Sequence, residues 1–120
     1  EDDGTNFSLG ERQLLALARA LVRQSRILIL DEATSSVDYE TDSKIQHTIA
    51  TEFSQCTILC IAHRLKTILT YDKIVVMDAG QIKEFGKPLE LFNDKSSTFR
   101  SMCDQSHLIE KDFELSVDNF

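Results

Sequence analysis

Apolar residues recur at helical spacing early in the chain, at Leu14, Leu17, Ala18 and Leu21, with Leu15 and Val22 widening the stripe. That period predicts an amphipathic helix whose apolar side faces a core. The helix opens at Ser8, which forms S-x-x-E with Glu11; in this capping box each side chain can satisfy a backbone N–H of the other. Arg23 and Arg26 close the segment, where cations suit the negative end of the helix dipole. The period then changes. "ILIL", Ile27 to Leu30, is short and uniformly apolar, which predicts a strand of a parallel sheet covered on both faces. Asp31 and Glu32 follow at its carboxyl end, where open α/β sheets place their chemistry.

The pattern predicts a second helix from about Tyr39 to Phe53, with Asp38 as N-cap and Ile45, Ile49 and Phe53 on its inner face. "TILCIA", Thr57 to Ala62, predicts another buried strand, ending at His63. A short helix around Leu65 to Leu69 leads to "KIVVMD", and Ala79 and Gly80 then turn the chain into "QIKEF" as a hairpin partner. Pro88 opens a further short helix, because its fixed φ suits a first turn, and a last helix is expected near Ser97 to Gln105. Strands alternating with helices predict an α/β fold with a mostly parallel sheet flanked by helices. The chain has no internal repeat or low-complexity segment.

Composition narrows the function classes. The 120 residues are 42% hydrophobic and 28% charged, ordinary for a globular piece. A net charge of -7 argues against nucleic-acid binding, which draws on clustered Lys and Arg. Much of the acidity lies in "EDD" at the start and "IEKDFELSVD" near the finish, expected to be solvated ends. Cys56, Cys60 and Cys103 make an odd number, so reduced, small buried thiols are expected rather than a disulfide framework or a zinc site. No apolar run approaches the roughly 18 residues of a membrane helix, and no secretory or lipidation signal is present. Glu1 opens in the middle of a loop-like phrase, which predicts a piece of something longer.

The candidate chemistry sits at element ends. A helix N-terminus carries about half a positive charge and several free N–H groups, so the end at Ser8 favours an anion such as phosphate. Ser8 adds a hydroxyl, and Gly10 lets a ligand approach the backbone closely. For an isolated S-x-x-E, simple self-capping is the better account. Asp31 can hold Mg²⁺ through water and Glu32 can polarise an attacking water; two exposed acids starting a loop are the plainer alternative. His63 can donate to a terminal phosphate, although a lone histidine is usually structural. His47 and His107 have no comparable setting.

The order decides between these readings: Ser-x-Gly before a helix, strand plus Asp-Glu, "SSVD", then strand plus His. In that order the chain resembles the second half of an ATP-binding-cassette (ABC) nucleotide-binding domain. "FSLGERQ" stands at the signature motif, "ILILDE" at the Walker B strand, "SSVD" at the D-loop and "IAHR" at the switch histidine. "KIVVMDAGQIKEFGKPLEL" resembles the strand, hairpin and helix that follow in exporters. The similarity runs roughly from Asn6 to Phe92. "FSLGERQLLALARAL" and "DEATSSVDYETD" resemble more narrowly the second nucleotide-binding domain of subfamily C, the multidrug-resistance-associated type. The phosphate loop G-x-x-x-x-G-K-[ST] does not occur in these 120 residues. The resemblance therefore implies a partial P-loop NTPase fold lacking its N-terminal phosphate-loop half, with cassette sequence over 1–106 and an acidic tail over 107–120.

What the resemblance implies for function is specific. ATP and Mg²⁺ are the ligands, and two nucleotide-binding domains pair head to tail. Ser8, Gly10, Glu11 and Asp38 would contribute to nucleotide binding, with the Ser8 end facing an ATP cradled by the partner domain. Asp31 as metal residue, with Glu32 and His63 as catalytic residues, would serve a second ATP. The signature departs from L-S-G-G-Q: Leu9 stands for the first Gly and Glu11 for Gln. A carboxylate about 6 Å from phosphate costs roughly 3 kcal/mol per unit charge at an effective dielectric near 20, which implies a slow or regulatory composite site. Transmembrane domains of a longer chain, no nucleic acid and a place on the cytoplasmic face of a plasma or vacuolar membrane follow from the same resemblance. The segment alone is expected to be inactive. Rival readings are a DNA-repair or chromosome-organising cassette ATPase, whose signature often ends in Glu, and a non-enzymatic interaction module.

Overall fold

A computed structural model of the chain describes residues 8–31, 37–62 and 64–118; the side chains of Leu9 and of residues 115–118 are outside the description. The chain divides into two compact units, Glu1–His63 and Arg64–Phe120.

The first unit contains α1 (Leu9–Val22), β1 (Ile27–Asp31), α2 (Tyr39–Glu52) and β2 (Thr57–Ile61). Ser8 takes an extended conformation ahead of α1, and its hydroxyl accepts from the Glu11 N–H at 3.2 Å. This satisfies one of the orphan donors of the first turn. The helix stops where Gln24 swings to φ 54, and the Gln24 N–H bonds back to the Leu21 carbonyl. Asp38 caps α2 in the same manner as Ser8 caps α1. Strands β1 and β2 are parallel, in register from Ile27 opposite Thr57 to Asp31 opposite Ile61. Leu28 and Leu30 point to the side where Leu17, Ile45, Ile49 and Phe53 form the core. Each such apolar side chain contributes about 1.5–3 kcal/mol by leaving water.

Two expectations for this unit need correction. The buried side of α1 runs through Gly10, Leu14, Leu17 and Ala20, whereas Leu15, Ala18, Leu21 and Val22 are exposed, Val22 to 83%. The helix is apolar over most of its circumference, so periodicity alone leaves the choice of face open. Likewise β1 and β2 are covered on one face only. Ile27 and Ile29 are each 65% exposed, and Leu59 and Ile61 share that open face. The cause is geometric: alternate side chains leave opposite faces of a strand, and the core to which α1 and α2 contribute takes up only one of them.

The second unit contains α3 (Leu65–Ile68), β3 (Ile74–Asp78), β4 (Gln81–Gly86), α4 (Pro88–Asn93), α5 (Thr98–Gln105) and α6 (Glu110–Asp118). Strands β3 and β4 form the expected antiparallel hairpin, with a bulge between Val76 and Met77. Ala79 and Gly80 both have positive φ, 49° and 75°, the backbone twist that two-residue hairpin turns use. The hairpin is a sheet of its own, so the described residues hold one parallel pair and one antiparallel pair rather than one mostly parallel sheet. Pro88 occupies the first turn of α4, and Ser97 caps α5. Glu84 on β4 reinforces that cap, its two carboxylate oxygens accepting from the N–H groups of Thr98 and Phe99.

The acidic stretch expected to be solvated is instead partly packed. Leu108, just before the stretch, and Phe113 within it are buried with Phe92, Phe99 and Cys103, and all of the stretch but Ile109 forms α6. Its charges, Glu110, Lys111 and Glu114, stay on the wet side while Phe113 turns inward. In the sequence the packing of Phe113 is obscured by the four acidic residues around it, Glu110, Asp112, Glu114 and Asp118. Among the described residues no helix is long and apolar enough to cross a membrane.

Candidate functional site

The predicted site residues that the structure describes all lie in the first unit, at the ends of its elements. Ser8 stands at the N-terminus of α1. Glu11 is exposed in the first helical turn, and its backbone N–H reaches the Ser8 hydroxyl. The end thus combines a helix dipole, a hydroxyl and first-turn N–H groups, the requirements for holding an anion.

Gly10 is buried, and for a reason the sequence did not suggest. A Cβ built on it would stand 2.5 Å from Cγ2 of Thr41 and 3.5 Å from Cγ1 of Val37. The first turns of α1 and α2 therefore touch through Gly10 and Thr41. Asp38 lies three residues before Thr41 and grips it twice: Oδ2 accepts from the Thr41 N–H at 3.1 Å, and Oδ1 accepts from the Thr41 hydroxyl at 2.8 Å. The hydroxyl first, then the N–H, hold the Asp38 carboxyl below the ordinary carboxylate range. Asp38 is thereby an anionic cap, which complements the positive end of α2.

Asp31 is the last residue of β1 and is exposed at the carboxyl end of the parallel pair, opposite Ile61. Glu32 and His63 lie outside the described residues, as do Ser35 and Ser36 of "SSVD". Among the described residues no three His, Cys, Asp or Glu side chains gather into a metal cluster. A lone carboxylate still fits Mg²⁺, which keeps several waters and takes one or two carboxylates plus substrate phosphates. Cys56 donates its thiol to the Ser25 carbonyl at 3.0 Å, and Cys103 is fully buried with its thiol pushed up to about 11 by burial. Both act as packing groups.

Sequence comparison places the chain in a family. The ABC transporter family profile matches residues 1–35, which include the capped start of α1 and all of β1. The oligomycin resistance ATP-dependent permease of Saccharomyces cerevisiae is 68% identical over 114 residues, 95% of this chain and 8% of the permease. The chain belongs to the ATP-binding-cassette transporter family. The ABC-type transporter cicA of Emericella nidulans is 56% identical over 112 residues, 93% of this chain and 8% of that protein. A probable multidrug resistance-associated protein of Drosophila melanogaster is 54% identical over 106 residues, 88% of this chain and 8% of that relative. The cassette segment thus spans about 8% of the length of each of these relatives.

Within the cassette segment, Thr41 is the residue that sequence reasoning missed. The available signal was its place as third residue of a helix capped by Asp38, the position where a side chain can bond back to the cap. Its contact with Gly10, 31 positions earlier, leaves no trace in a local pattern.

Proposed function

We propose that the chain is part of a nucleotide-binding domain that binds and hydrolyses ATP to power export by an ABC transporter. The observation that carries this reading is the Ser8-capped start of α1 inside a sequence 68% identical to an ATP-dependent permease. In this reading Ser8 and the first-turn N–H groups of α1 meet the terminal phosphate of an ATP gripped by a partner nucleotide-binding domain. Gly10 and Glu11 belong to that same end, and Asp38 to the loop beside it.

A different ATP is served by the carboxyl ends of the strands. Asp31 would hold Mg²⁺ through water, Glu32 would orient and polarise the attacking water, and His63 would donate a hydrogen bond to the terminal phosphate. Mg²⁺ supplies charge neutralisation across the phosphates when bound. The phosphate loop that grips this second nucleotide would come from sequence beyond these 120 residues, so the segment by itself lacks a binding site of its own. Leu9 and Glu11 at the signature make the first site the slower of the two. Membrane domains of the longer protein would place the segment on the cytoplasmic face. The open apolar face of β1 and β2 supports a further layer of the same domain covering it.

The test is Glu32→Gln in the full-length transporter. Turnover is expected to fall by orders of magnitude while nucleotide-induced pairing of the two domains persists. Hydrolysis at the unmodified rate in that variant refutes the role given to Glu32.

A further inference from the structure

We infer that Thr41 is a positioning residue for the anion-binding end at Ser8: clamped by Asp38, its methyl group fills the notch that Gly10 leaves in the first turn of α1. The inference rests on the reading of Ser8 as part of an ATP site, and it assigns Gly10 a role different from backbone approach by the ligand.

The geometry links three residues in series. A Cβ at position 10 would stand 2.5 Å from Cγ2 of Thr41, far inside contact distance. Were Thr41 free, rotation about χ1 would relieve the clash. It is not free, because its hydroxyl donates to Asp38 Oδ1 at 2.8 Å. Threonine carries hydroxyl and methyl on the same carbon, so turning the methyl away from α1 takes the hydroxyl off Asp38. The remaining way to make room is to move the first turn of α1 away from α2. Side-chain size at position 10 and rotamer at position 41 are one coupled choice.

A functional consequence follows from where the chain of contacts ends. Glu11, one residue after Gly10, donates its N–H to the Ser8 hydroxyl, so a shift of this turn re-aims the hydroxyl and the N–H groups together. Asp38 is exposed. A cationic group that draws its carboxylate outward releases the Thr41 hydroxyl and, through the methyl, loosens the turn at Ser8. The Asp38 carboxylate and the anion end are thereby coupled through a single side chain within one chain.

The test is a double-mutant cycle in the full-length transporter, read as the ATP concentration for half-maximal azido-ATP photolabelling of the partner domain's site. Gly10→Ala is expected to raise that concentration about tenfold, the order expected for overpacking a tight contact. Thr41→Ser alone, which keeps the hydroxyl and deletes the methyl, is expected to raise it about two- to threefold, less than Gly10→Ala does. The pair together is expected to recover most of the loss. If the double variant is as impaired as Gly10→Ala, or if Gly10→Ala is harmless, the inference is overturned. Thr41→Ala adds no bulk and covers the case in which Gly10→Ala does not accumulate; it is expected to raise the half-maximal concentration severalfold, and an unchanged value overturns the inference. Ser8→Ala separates the two levels of argument: unimpaired labelling there removes the ATP-site reading itself, whereas impaired labelling with an additive cycle removes only the role of Thr41.

Discussion

The ring of Phe113 lies 4.7 Å from the ring of Phe92, tilted at 50° to it, and this contact draws a strongly acidic segment onto the second unit. The guanidinium of Arg100 covers the Phe92 ring at 4.3 Å and also donates to the Phe92 carbonyl. Phe113 is thus held by an aromatic ring whose other neighbours are already fixed. Phe113→Ala is expected to destabilise the second unit by about 3–5 kcal/mol through lost transfer energy and an unfilled cavity. Urea denaturation followed by limited proteolysis after residue 106 reads the effect; an unchanged midpoint would mean that α6 is an ornament on the unit.

Glu84 offers a second handle on the same unit. Its carboxylate receives the N–H groups of Thr98 at 2.7 Å and Phe99 at 2.9 Å, two charge-assisted bonds at the positive end of α5. Glu84→Ala is expected to cost about 2 kcal/mol. Glu84→Gln keeps one acceptor and loses the charge, so its thermal midpoint should fall between those of the parent and the alanine variant. Equal midpoints for all three would show that Ser97 caps α5 unaided.

Glu11 tests the slow site. Its carboxylate sits in the first turn of α1, exposed, beside the end proposed to meet a phosphate. Removing that charge with Glu11→Gln is expected to strengthen nucleotide trapping at the partner domain's site severalfold, and more so at low salt, since screening weakens an exposed charge. Trapping that is indifferent to this substitution would mean the carboxylate turns away from the nucleotide.

Cys103 predicts an alkaline limit. Burial raises its thiol to about 11, above the ordinary 9.0, so the folded state keeps a proton that the unfolded state releases first. The stability tied to that proton is complete below pH about 9 and is lost as pH rises through 11, with a slope approaching about 1.4 kcal/mol per pH unit. Denaturation between these pH values should show the decline, and Cys103→Ala should flatten it.

Much of the fold could be read from residue patterns, and the exceptions share a cause. Ser8-x-x-Glu11, Asp38 before an i, i+4 run, Pro88 and Ala79-Gly80 each carry a local backbone preference, and each marks the boundary it was expected to mark. Ile45, Ile49 and Phe53 were legible because polar residues separate them. The buried side of α1 was not, since Leu14 and Leu15 are equally apolar and only neighbouring elements choose between them. The packing of Phe113 depends on Phe92, and the demand for glycine at position 10 depends on Thr41; such pairs are long-range and silent in any window. At the candidate site the chain pattern supplied Ser8, Asp31 and Asp38, while Glu32 and His63 lie outside the described residues.

The two sides of β1 bear on how its alignment is chosen. Ile27 and Ile29 are as oily as Leu28 and Leu30, so sliding the strand by one position exchanges equivalent sets and meets no penalty from polarity. What fixes the alignment must be the brackets: the Thr57 N–H bonded to the Arg26 carbonyl at one end, and a charged Asp31 that resists entering the interior at the other. Neutralising Asp31 would therefore remove a stop against slippage as well as a carboxylate.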